Sequence, residues 1–98
     1  MSILKSNINF KGSLNDFIIK IKECLISYNI DDEKISERLV RYYITEAIIP
    51  RPVRDGKEYS YNYEHLLKFL YARRQIMDGW PLSKLKEIMY DSKLLLIF

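Results

Sequence analysis

Lys34, Arg38, Arg41, Tyr42 and Thr45 recur at helical spacing, which lines up cations and hydroxyls along one stripe. Arginine's planar fork of N–H donors matches two phosphate oxygens at once, so the chemistry such a stripe offers is anion recognition. All six arginines, Arg38, Arg41, Arg51, Arg54, Arg73 and Arg74, fall between positions 38 and 74, a window with net charge +4. Residues 1–37 carry −1 and residues 75–98 are neutral, so the positive excess is local. On charge alone two readings stand: a phosphate-binding face, or a solvated face without a ligand.

Other chemistries find little support. The single cysteine, Cys24, excludes an internal disulfide and a CxxC metal site, and its place beside an apolar stripe reads as core. His65, the only histidine, has no second histidine or cysteine close in sequence, so no metal is expected. There is no carboxylate pair, Ser-His or Cys-His set, or glycine-rich phosphate loop, so neither catalysis nor a cofactor is expected. No apolar run approaches the roughly 20 residues that span a bilayer, and the first eleven residues do not resemble a secretory signal. A cytoplasmic location without a membrane partner follows as the expectation.

Ninety-eight residues suit one small domain, and the elements that must position the stripe are legible along it. After a leader at 1–12, Ser13 and Asp16 form a capping-box-like start, and Leu14, Phe17, Ile18, Ile21 and Leu25 repeat as one apolar helical face. That helix should fade at Tyr28-Asn29. Asp31-Asp32-Glu33 suit the start of a second helix over 32–48, whose apolar arc is Ile35, Leu39, Val40, Tyr43, Ile44 and Ala47. Pro50 and Pro52 end it. Asp55-Gly56 and the alternation of Tyr59, Tyr61 and Tyr63 with polar residues predict a β-hairpin. The three tyrosines are expected to pack it against a third helix. Asn62 caps that helix and Gly79 closes it. Trp80-Pro81 makes a corner with Trp80 plugging the core, and Leu82, Leu85, Ile88 and Met89 give a fourth helix. The domain should run over 13–93, followed by an apolar tail at 94–98.

The run from Ser36-Glu37-Arg38 through Arg41-Tyr42-Tyr43 to Ile49-Pro50-Arg51-Pro52 resembles the recognition-helix segment of the MerR family of bacterial transcription regulators. The likeness continues at Tyr61-Asn62-Tyr63-Glu64-His65-Leu66, Arg73-Arg74 and Asp78-Gly79-Trp80-Pro81-Leu82, covering roughly residues 33–89. Three positions depart from the family pattern: Ala47 stands where glycine is usual, Tyr59 where many members carry arginine, and Pro81 where serine is usual. The leader is also longer than in typical members.

The resemblance implies a mainly α winged helix-turn-helix fold, with about four helices and a small β-hairpin wing at 51–61. It implies sequence-specific binding of double-stranded DNA in transcription regulation, with the 32–48 helix in the major groove. Arg38, Arg41, Tyr42 and Thr45 would face the groove, with Arg41 and Tyr42 on phosphates. Lys34 and Glu37, nearer the helix start, are the candidates for base reading. Arg54, Lys57 and Tyr61 would lie along the backbone or minor groove, and Arg73 would add a phosphate contact. A homodimer on two half-sites is implied as well, and no effector ligand is expected within this chain. The alternatives are a small architectural or recombination directionality factor, and a winged-helix module that docks proteins.

Overall fold

The computed structural model describes residues 7–89. The tail at Leu94–Phe98, the end of the expected domain and the first six leader residues lie outside the described residues. The chain runs β1 (Lys11–Gly12), α1 (Leu14–Ser27), α2 (Glu37–Thr45), β2 (Val53–Asp55), β3 (Glu58–Asn62), α3 (Tyr63–Met77) and α4 (Leu82–Met89). Among the described residues four helices thus accompany one small antiparallel sheet in the order β1-β3-β2, with Lys11 opposite Asn62 and Arg54 opposite Tyr59. No helix among the described residues is long and apolar enough to cross a membrane.

α1 begins where its capping signal lies. Ser13 Oγ accepts from the Asp16 amide at 3.1 Å, and Asp16 Oδ2 accepts from the Ser13 amide at 3.2 Å, so two otherwise orphaned donors are satisfied reciprocally. Asn62 caps α3 in the same manner, with His65 in the place usually held by glutamate. The hairpin turns at Gly56-Lys57, and only Gly56 has positive φ (67°), as a turn with glycine at its first central position requires.

α2 is shorter than the 32–48 predicted, at both ends. Its N-cap is Ser36, whose Oγ accepts from the Leu39 amide at 3.2 Å. The acids at 31–33 do not open the helix, because Asp32 is drawn instead into a buried ion pair with α3. At the other end Ala47 turns left-handed (φ 59°), the Ala47 amide bonds the Ile44 carbonyl at 3.0 Å and the Ile48 amide bonds the Tyr43 carbonyl at 2.9 Å. This is the Schellman ending. α1 ends the same way through Asn29 (φ 61°), and α3 through Gly79 (φ 96°). Ala47, expected in the apolar arc, is therefore exposed past the helix end.

The core gathers one face from every helix: Phe17, Ile21 and Cys24 from α1, Val40 and Tyr43 from α2, Leu66, Phe69 and Ala72 from α3, Leu85 and Met89 from α4. Phe17 is its aromatic centre, stacked on Tyr61 (centroids 4.7 Å, planes 9° apart) and edge-on to Phe69 at 5.9 Å. Trp80 does not plug this core: it is about half exposed (48%), because the Gly79 ending carries it out past α3. Of the three hairpin tyrosines only Tyr61 is buried; Tyr59 is exposed and Tyr63 is the first residue of α3. The leader is not wholly irregular either, since Lys11–Gly12 adds a strand to the sheet.

Candidate nucleic-acid interface

One turn of α2 buries Val40 and Tyr43, so the helix periodicity turns Glu37, Arg38, Arg41, Tyr42 and Thr45 outward, and all five are exposed. The nine residues make a rod about 13 Å long by the rise of an α-helix. Arg41 pairs with Glu37 one turn earlier, and Thr45 Oγ1 donates back to the Arg41 carbonyl at 3.0 Å. Arg38 has no carboxylate partner among the described residues, nor do Lys34, Arg51, Arg54 and Lys57.

The hairpin supplies a second exposed surface. Arg54 Nε donates to the Gly56 carbonyl at 3.1 Å, and its guanidinium lies 5.9 Å from the centre of the Tyr59 ring across the strands. Lys57 stands at the turn. Tyr61 on β3 has its pKa raised mainly by burial, with a smaller lowering by the charge of Arg41 and a smaller raising by that of Glu37.

Two expected contact residues are not on this surface. Tyr61 is only 5% exposed and spends its ring on Phe17, which takes its side chain away from a ligand. Arg73 is 6% exposed and is a structural cation. Its Nε and Nη2 lie 2.9 and 2.7 Å from Asp32 Oδ2, and Nη1 donates to the Tyr43 hydroxyl at 3.1 Å. Burial works against the guanidinium charge, but the bonds to Tyr43 and Asp32 outweigh it and hold its pKa above the ordinary arginine value. Burial pushes the Tyr43 phenol up, opposed by the Arg73 hydrogen bond.

This triad was not legible in the sequence, because Asp32 and Arg73 stand 41 residues apart. It does local work on the site. Asp32 Oδ1 accepts from the Lys34 amide at 3.0 Å, so the nine-residue connection from Tyr28 to Ser36 is tied to α3 just before α2 starts. Lys34 consequently precedes the helix and does not ride on it. At the other end of α2, Lys86 of α4 reaches Glu46 at 2.7 Å.

His65 ties the root of the hairpin to α3. The Asn62 amide donates to its Nδ1 at 3.0 Å, which leaves the proton on Nε2 for the Arg51 carbonyl, also at 3.0 Å. Burial lowers its pKa below the usual histidine value, with the Arg51 carbonyl opposing the shift. Arg51, a contact candidate that sequence reasoning passed over, is thereby fixed by its backbone while its side chain stays exposed. The signal was present, as it is one of the six clustered arginines. Cys24 is fully buried, and burial raises its thiol pKa. Among the described residues no three His, Cys, Asp or Glu side chains converge on a metal-sized site. No protein-family model, no curated protein and no solved structure matches this chain.

Proposed function

We propose that the chain binds double-stranded DNA as a winged helix-turn-helix domain of MerR type and acts in transcription regulation in the cytoplasm. α2 lies in the major groove and the β2–β3 hairpin, the wing, follows the adjacent backbone. The observation that carries this reading is the exposure of two cationic surfaces on one small domain: the outward face of α2, with Arg38, Arg41, Tyr42 and Thr45, and a hairpin bearing Arg54 and Lys57. Arginines without carboxylate partners are free to meet phosphate oxygens, which fix register and supply affinity. An α-helix is about 10–12 Å across with its side chains, which fits a groove about 12 Å wide. Arg41 and Tyr42 take phosphates in this arrangement, and Arg51 joins them from the root of the wing. Tyr61 and Arg73 act from behind the surface. As a homodimer the protein would address two half-sites about one helical turn apart.

The test is a salt titration of duplex binding by fluorescence anisotropy. If Lys34, Arg38, Arg41, Arg51, Arg54 and Lys57 all neutralise phosphates, the log–log slope should be about −5, and Arg41→Ala should reduce it by about one unit. No binding to any duplex at low salt refutes the proposal. One observation favours a second reading, docking of a protein partner: Met77 and Trp80 leave apolar surface exposed at the α3–α4 corner. That reading requires an unaltered affinity for its partner when Arg41 is replaced.

A further inference from the structure

A carboxylate stands at the head of a face that is otherwise cationic or neutral. Glu37 is the first residue of α2, its side chain is about half exposed (54%), and Arg41 is its only charged partner among the described residues. As an acid in the first turn of α2, Glu37 suits the helix dipole, and its exposed pair with Arg41 adds little beyond that to folding. Phosphates repel it, so affinity for the backbone does not account for a carboxylate on this face. What a carboxylate does accept in the major groove is the N4 amino group of cytosine, and recognition helices bring their N-terminal residues to the base edges. Lys34 lies off the helix, tied back through its amide to Asp32, which leaves Glu37 at the end of α2 that meets the bases.

Resting on the duplex-binding reading above, we propose that Glu37 is a specificity-determining residue, whose carboxylate accepts a hydrogen bond from the N4 amino group of a cytosine while Arg41 partners it and reaches the neighbouring phosphate. The pairing offsets the negative charge that would otherwise face the backbone. Arg41 then contributes affinity to every sequence, and Glu37 contributes preference at one position.

The experiment selects duplexes from a random pool with the full chain, in parallel for wild type, Glu37→Gln and Glu37→Ala. Because Glu37 is exposed and loses only its dipole interaction and its pair with Arg41, all three should remain folded and melt within a few degrees of one another by circular dichroism. Wild type should prefer cytosine at one position by about fivefold or more. Both variants should lose that preference, Glu37→Gln should turn towards adenine, and the remaining positions should stay unchanged. A wild-type pool without a cytosine preference overturns the inference, as does a variant that keeps it while binding all sequences more or less tightly. Both of those outcomes leave duplex binding standing. Failure of wild type to retain any duplex overturns the two together.

Discussion

Replacing Ala47 by glycine should make the protein more stable, which is the reverse of the usual outcome for an alanine-to-glycine change. Ala47 sits at φ 59°, the left-handed position of the Schellman ending of α2. An L-residue with a Cβ is held there at a cost of roughly 1–2 kcal/mol. Glycine removes that cost, but it also gains freedom in the unfolded chain, worth about 0.5–1 kcal/mol against folding. Ala47 is exposed, so no buried methyl is lost. The balance is a gain of about 0.5–1 kcal/mol, or about 3–6 °C in melting temperature for a domain of this size. The mirror experiment is Gly79→Ala. Gly79 has φ 96°, and a Cβ built on it meets nothing within 4 Å, so its replacement tests the backbone alone and should lower the melting temperature by a similar amount. Thermal unfolding followed by far-ultraviolet circular dichroism measures both. An unchanged or lower melting temperature for Ala47→Gly, together with a harmless Gly79→Ala, would refute the assignment of left-handed endings and the reasoning built on it.

Arg73→Met should cost about 3–5 kcal/mol in urea unfolding, because it leaves Asp32 charged and nearly buried without its cation. Asp32→Leu combined with Arg73→Met should recover part of that loss, and a single variant within about 1 kcal/mol of wild type would contradict the buried triad. His65 predicts a pH dependence. Its folded-state pKa lies below the ordinary value of 6.5, so the stability from the neutral ring is fully present above that pH. It is lost as pH falls below 6.5, since the unfolded chain takes up the proton first. Melting temperatures across that range should fall on acidification for wild type and show a smaller slope for His65→Gln; equal slopes would count against it.

Local signals proved readable where the partner was also local. The Ser13–Asp16 box, the Asn62 cap, the Asp55-Gly56 hairpin and the Gly79 ending each involve residues a few positions apart, and each formed. The outward face of α2 was legible for the same reason, as 3.6-residue periodicity separates Arg38 and Arg41 from Val40 and Tyr43. The errors arose where a distant partner decided. Asp32 had the right type for a helix cap, but Arg73 claimed it from 41 residues away. Tyr61 alternates as a strand residue should, yet only the packing of Phe17 on β3 determines that it points inward. Ala47 fitted an apolar period that the left-handed turn had already broken.

The five outward residues of α2 are held from behind, by Val40 and Tyr43 in the core, by the Asp32–Arg73 tie before the helix and by Lys86 on Glu46 after it. None of the five is counted in the core. The scaffold and the face it presents are therefore written in separate letters of the sequence. A library randomised at Glu37, Arg38, Arg41, Tyr42 and Thr45 should yield many folded proteins with one backbone and different surfaces, which makes α2 a replaceable cassette for engineering.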